Sequence, residues 1–200
     1  MPTDEFDIIR ALFAPLAREA GARGLSDDVA LIEAKGGLVV TTDAIVEGVH
    51  FLPGDPIGTV AKKALRVNLS DLAAKGARPV AALLTLIWPD ARPASQIGEF
   101  AAALGEDLAH YKLALLGGDT TSTPGPLTVS IAAFGAPYGP RTPARADAKA
   151  GEQVWVTGSI GDAYLGLMSL TRTPSDQLDA HAKLVRAAYR LPTPPVDFAE

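Results

Sequence analysis

The chain has 200 residues, of which 48% are hydrophobic and 20% are charged. This composition is ordinary for a globular protein and provides enough apolar chain for one large or two small domains. The formal net charge of −5 argues against a nucleic-acid-binding protein or a basic membrane-surface protein, because phosphate groups repel a chain with net negative charge.

The chain contains no cysteine, which excludes disulfides and thiolate zinc sites and is compatible with a reducing compartment. Its first residues, MPTDEFDIIRALF, are acidic and lack a basic region, so they predict no signal peptide. No apolar run approaches the length that spans a membrane. We therefore expect a cytoplasmic protein.

Hydrophobic periodicity and turn residues predict alternating helices and strands. In chain order these are a helix over 3–20, strands over 29–32 and 38–42, a helix over 60–76, a strand over 80–88, a helix over 97–111, and strands over 113–116 and 127–134. The first two strands are close enough, through Gly36 and Gly37, to form a hairpin.

A segment rich in proline and glycine, residues 137–150, is predicted to be a linker. It separates an N-terminal domain, residues 1–136, from the beginning of a C-terminal domain, residues 151–200. The latter is predicted to contain a strand over 154–156 and helices over 163–170 and 175–190, too little to close a second core.

Aspartates lie at several predicted element boundaries. Asp27 and Asp28 precede a strand, Asp43 and Asp119 end strands, and Asp71 faces out of a helix beside Asn68. A solvated turn explains each of them in isolation. Together they predict an acidic cluster at one sheet edge, and because close carboxylates repel one another, such a cluster implies divalent cations.

Oxygen ligands without cysteine or paired histidine favour Mg²⁺, since His50, His110 and His181 are too scattered to suggest zinc. Mg²⁺ held by several aspartates generally positions phosphates. The pattern therefore indicates nucleotide chemistry without a Walker A lysine.

Four ordered motifs resemble the thiamine-monophosphate kinase family of the aminoimidazole-ribonucleotide-synthetase-like superfamily. They are TTDAIVEGVHF from Thr41, NLSDLAAKGA from Asn68, LLGGDTT from Leu115 and VTGSIGDA from Val156. The resemblance implies an α+β fold, with an N-terminal mixed β-sheet flanked by helices and then the start of a truncated second α/β domain. It further implies a homodimer and direct transfer of the ATP γ-phosphoryl to the phosphate of thiamine monophosphate.

Carried over to this sequence, the resemblance assigns roles to individual residues. The metal ligands for several Mg²⁺ ions would be Asp28, Thr41, Thr42, Asp43, Asp71 and Asp119, with Asp27 as a second choice. ATP would contact Gly118, Asp119 and Arg145, and thiamine monophosphate would contact His50. No residue is assigned as a catalytic acid or base, because the acceptor is already an anionic phosphate oxygen.

The sequence departs from the family pattern in three places. Ser26 stands where glycine is usual, Ser122 stands where arginine is frequent, and the family's second domain carries a further acidic segment that these 200 residues lack. Two alternatives therefore stay open. One is another ATP-dependent enzyme of the superfamily, and the other is a truncated, inactive module that binds nucleotide and dimerises.

Overall fold

The computed structural model of the protein describes residues 5–26, 32, 36–144, 146–172 and 180–199. The described residues form four strands and five α-helices. The strands are β1 (Val39–Val46), β2 (Ala77–Pro89), β3 (Ala114–Thr123) and β4 (Thr128–Pro137), and the helices are α1 (Glu5–Ile8), α2 (Ile57–Ala74), α3 (Ser95–His110), α4 (Asp162–Arg172) and α5 (Ala180–Arg190). Short 3₁₀ helices cover Ala20–Leu25 and Val196–Ala199.

The four strands form one mixed sheet in the order β1-β4-β2-β3. β4 is antiparallel to both of its neighbours, and β3 is parallel to β2. The chain returns from β2 to β3 through α3, as a parallel pair requires. This architecture confirms the predicted α+β class.

The core lies between the sheet and α2 and α3. Along β2, side chains alternate between buried and half-buried positions, as expected for a strand covered on one face. The apolar residues of α2 recur three and four apart, which places them in one stripe facing the sheet. The largest fully buried side chains include Leu65, Leu69, Leu72, Leu86, Phe100, Leu104, Leu127 and Ile131.

β1 and β3 continue well past the ends that the sequence predicts. β1 does not end before Asp43, because Ala44 to Val46 pair with Ser130 to Thr128 of β4. β3 does not end at Leu116, because residues 117–123 continue to pair with β2. Asp43 and Asp119 thus lie within strands and not at their ends, since backbone pairing continues through polar residues when their side chains face solvent.

The predicted N-terminal helix over 3–20 is also wrong in its extent. α1 continues as a π-helix over Ile9–Phe13 and a 3₁₀ turn over Ala14–Leu16, where it stops. Pro15 explains the end, because proline has no N–H to donate and its ring crowds the preceding turn. The predicted strand over 29–32 lies outside the described residues except for Ile32.

The region after residue 150 is mostly helical. The predicted strand at 154–156 is wrong: these residues have no strand partner in the described part of the chain, and Trp155 is 82% exposed. α4 and α5 pack so closely that a Cβ on Gly166 would lie 2.0 Å from the Val185 carbonyl oxygen. The predicted helix over 175–190 is observed from Ala180, and residues 173–179 lie outside the description. None of the helices described is long and apolar enough to cross a membrane.

A buried ion pair joins α2 to α3. Arg66 donates to both carboxylate oxygens of Asp107, at 2.6 Å and 2.9 Å, and also to the Pro192 carbonyl at 3.2 Å. The Asp107 side chain is only 3% exposed. The hydrogen bond to Asp107 raises the pKa of Arg66 above its ordinary value, so the pair stays charged. The segment after α5 is thereby tied to α2.

We expect Asp107→Ala to lower the free energy of unfolding by about 3 kcal/mol, because it leaves the half-buried Arg66 without its counter-ion. Glu106 is the matched control, since it forms an exposed pair with Lys62 on the same two helices. Glu106→Ala should cost less than about 1 kcal/mol. Urea unfolding monitored by circular dichroism measures both values, and equal effects would contradict the prediction.

Candidate active site

The centre of the candidate site is a contact between β1 and α2. The Thr41 hydroxyl donates to Oδ2 of Asp71 at 2.7 Å. Thr41 and Asp43 are two residues apart in a strand, so their side chains leave the same face, towards α2, while Thr42 leaves the other. The side chains of Asp43 and Asp71 are exposed, so carboxylate oxygens on both elements remain open to a ligand.

Asn68 fixes this arrangement from inside the protein. Its side chain is completely buried, and its Oδ1 accepts a hydrogen bond from the Asp43 backbone N–H at 3.1 Å. Its Nδ2 donates to the Ala64 carbonyl of its own helix at 3.0 Å. Because β1 is an edge strand, its outward N–H groups need partners outside the sheet, and Asn68 supplies one of them. The sequence prediction that Asn68 and Asp71 present polar groups together agrees with these contacts.

His50 lies in the turn that follows β1. Its Nδ1 accepts a hydrogen bond from the Val46 backbone N–H at 3.0 Å, and the residue is exposed. With Nδ1 acting as acceptor, a neutral ring carries its proton on Nε2. Gly48, with φ of +80°, gives the turn the left-handed conformation that a residue with a side chain rarely adopts. The turn therefore offers an N–H donor to solvent.

Gly118 and Asp119 lie on β3, at the other edge of the sheet. One row across the sheet contains, from β3 to β1, Asp119, Thr85, Ser130 and Ala44. Asp119 is thus separated from Asp43 by two intervening strands, roughly 14 Å at the usual strand spacing. The expectation that these two carboxylates meet at one sheet edge is wrong, because β4 and β2 lie between their strands.

The structure gathers only part of the predicted ligand set. In the ranges described, no three histidine, cysteine, aspartate or glutamate side chains are placed to hold a metal ion together. Asp27, Asp28 and Arg145 lie outside the described residues. The described candidate residues lie at three separate positions. One holds Thr41, Asp43 and Asp71, the second holds Asp119, and the third holds His50.

Sequence reasoning missed the residues that support the turn. Glu47 accepts from Arg92 at 2.5 Å and from the Leu127 backbone N–H at 3.2 Å. Asp55 is buried at the end of the same turn and accepts from the Leu52 backbone N–H at 2.9 Å. An acidic residue at each end of a glycine-containing turn is the signal that the sequence offered. The charged partners are distant, however: Arg92 is 45 residues from Glu47, and Arg190, which donates to Asp55, is 135 residues from it.

Comparison with known proteins identifies relatives of the whole chain. Residues 26–136 match the model of the family described as AIR synthase related protein, N-terminal domain. The thiamine-monophosphate kinase of Caulobacter vibrioides is 44% identical over 203 residues, which cover 100% of this chain and 56% of that protein.

Two solved structures are similar in fold. Thiamine monophosphate kinase from Aquifex aeolicus superposes with a TM-score of 0.75 at 29% identity, over 81% of this chain and 54% of that one. AaThiL complexed with AMPPCP and TMP gives a TM-score of 0.77 at 28% identity, over 98% and 61%. The chain therefore spans little more than half the length of these relatives.

We expect Gly118→Ala to destabilise the protein by about 2 kcal/mol or more, because backbone strain and a backbone clash act at the same position. Gly118 has φ of +153°, and a Cβ there would lie 1.7 Å from the Leu84 carbonyl oxygen. Gly117→Ala is the matched control, since its Cβ would lie 3.4 Å from a Leu83 methyl group. Denaturant midpoints measure the difference, and a Gly118→Ala protein as stable as Gly117→Ala would contradict the geometry.

Proposed function

The chain belongs to the AIR synthase related family, and from that premise we propose that it phosphorylates thiamine monophosphate to thiamine diphosphate with ATP. The observation that carries the proposal is the contact between Thr41 and Asp71 beside Asp43, in a chain 44% identical to a thiamine-monophosphate kinase. The complex of AaThiL with AMPPCP and TMP supports both substrates.

In the proposed reaction an oxygen of the acceptor phosphate attacks the γ-phosphorus of ATP. A new P–O bond forms, the bond from the γ-phosphorus to the β,γ-bridging oxygen breaks, and ADP leaves with that electron pair. The acceptor oxygen is already anionic, so no side chain has to remove a proton. The chain's residues act by positioning the two phosphates and by compensating charge.

We propose that Mg²⁺ ions are held by Thr41, Thr42, Asp43, Asp71 and Asp119, together with Asp28 and, as a second choice, Asp27. The donor set fits a hard cation, since every described member is a hydroxyl or carboxylate oxygen. Thr41 uses its proton to contact Asp71, which leaves the lone pairs of its oxygen available. When bound, Mg²⁺ supplies positive charge to the phosphate oxygens.

The remaining contacts are proposed for ATP and for the acceptor. Gly118 contacts the ATP phosphates beside Asp119, and Arg145 adds positive charge to them. His50 donates from Nε2 to thiamine monophosphate. The proposed units are residues 1–136 for Mg-ATP binding and dimerisation, 137–150 as a linker and 151–200 as the beginning of a second domain.

A homodimer is proposed through the face of the sheet that α2 and α3 leave open. This face carries small side chains in neighbouring strands, including Ala44, Ser130 and Ala132. Sheets pack face to face through such surfaces. We also propose that the protein is cytoplasmic.

We expect Asp43→Asn to weaken Mg²⁺-dependent ATP binding by about 100-fold, because a neutral amide replaces a proposed metal ligand. Asp90→Asn, at an exposed turn after β2, is the control and should leave the affinity unchanged. Isothermal titration with ATP and MgCl₂ measures both. Near-normal binding by Asp43→Asn would remove Asp43 from the proposed metal site.

Titration with the two substrates tests the proposed function itself. The wild-type chain should bind both thiamine monophosphate and ATP, and His50→Ala should raise the Kd for thiamine monophosphate by about tenfold, the cost of one hydrogen bond to a charged group. The Kd for ATP should stay within about twofold. Equal losses for both ligands would remove His50 from the acceptor subsite, and a wild-type chain that binds no thiamine monophosphate would overturn the function.

A further inference from the structure

The turn between β1 and α2, residues 47–55, is held in place by side chains from distant parts of the chain. We refer to it as the His50 loop. Lys63 of α2 donates from Nζ to the His50 backbone carbonyl at 2.9 Å. At the end of the loop, Oδ1 of Asp55 accepts from Nε of Arg190 at 2.6 Å, and the Asp55 side chain is 1% exposed.

Both of these anchors involve the C-terminal end of α5. Arg190 pairs with Asp55, and the ring of the preceding residue, Tyr189, lies beneath the Lys63 ammonium with 3.8 Å between Nζ and the ring centroid. Burial lowers the pKa of Lys63, and the nearby Asp55 charge partly offsets that effect. Two consecutive residues of α5 thus contact the two groups that hold the loop.

The contacts of Arg190 and Tyr189 have different physical origins. A carboxylate as buried as that of Asp55 requires a compensating cation, and Arg190 provides it. A partly desolvated ammonium over an aromatic face is also attracted to it. The start of the loop is fixed separately by Glu47 and Arg92. The middle of the loop is therefore contacted by α5 through Lys63 and its end directly, while His50 is also hydrogen-bonded to Val46 at the end of β1.

We propose that Tyr189 and Arg190 are positioning residues that, through Lys63 and Asp55, hold His50 where it meets the acceptor phosphate. The inference rests on the proposed function, because it takes His50 as the contact to thiamine monophosphate. Recognition of an anion by a single N–H donor depends on placing that donor within a fraction of an ångström. Residues after position 150 thereby influence the affinity of the His50 loop for thiamine monophosphate.

The test uses Lys63→Met and Tyr189→Leu in the complete 200-residue chain. Both substitutions leave the ion pair of Asp55 and Arg190 intact, whereas Arg190→Gln would leave the buried Asp55 carboxylate without its counter-ion and would risk unfolding. Lys62→Met is the matched control, because Lys62 is the adjacent lysine of α2 and pairs with Glu106 of α3 at 2.6 Å. Tyr189→Phe keeps the ring and serves as the conservative variant.

Two measurements are made on each variant. The first is amide hydrogen exchange of Gly48, His50 and Leu52, whose N–H groups are hydrogen-bonded within the His50 loop or to the end of β1. The second is isothermal titration with thiamine monophosphate and, separately, with ATP and MgCl₂. Exchange reports on the loop without any ligand, so it decides whether α5 holds the loop independently of the proposed function.

Lys63→Met and Tyr189→Leu should speed loop exchange and raise the Kd for thiamine monophosphate, each by about tenfold. The Kd for ATP should not change, and Lys62→Met and Tyr189→Phe should match the wild type in every measurement. Unchanged loop exchange would overturn the role of α5. Faster exchange with unchanged affinity for thiamine monophosphate would overturn the positioning role. A wild-type chain that binds no thiamine monophosphate would overturn the substrate part together with the proposed function.

Discussion

The side chain of Asn68 has no exposed surface, yet both ends of its amide are hydrogen-bonded, one to the Asp43 backbone and one to the Ala64 carbonyl. A buried amide left without either partner would carry a large desolvation cost. The register of α2 against β1 is therefore specified by a polar contact within an apolar layer. Asp71 follows Asn68 by about one helical turn, and this register brings it to Thr41.

The two faces of the sheet differ: α2 and α3 cover one face, and a smaller buried cluster of Ala17, Ala22, Ala81 and Leu116 lies apart from the main core. The helices α2 and α3 cover one face, so apolar residues can be placed there by the period of two along each strand. Polar side chains can be placed at the edges of the sheet, and β1 and β3 are the two edge strands. The predicted metal and nucleotide residues that the structure describes lie on these edges or on the helix beside β1.

Much of this arrangement follows from local sequence. The periodicity of α2, α3 and β2 predicts their positions closely, and the pair of Asn68 and Asp71 on one side of α2 follows from their spacing of three. The lengths of β1 and β3 do not follow, because they depend on pairing with β4 and β2. Val154 to Val156 has the composition of a strand but no pairing partner among the described residues. The contacts of Asp55 and Arg190 join residues 135 apart, and no local pattern contains them.

The separation of Asp43 and Asp119 on opposite edge strands bears on the electrostatic cost of the fold. Two unit charges roughly 14 Å apart in water interact by only about 0.3 kcal/mol before screening. That separation also exceeds the Debye length of about 8 Å at physiological ionic strength. Repulsion between these two side chains therefore costs the sheet almost nothing. Folding of the sheet does not require a cation between Asp43 and Asp119. The stability of the strands therefore does not depend on ligand binding at these two positions.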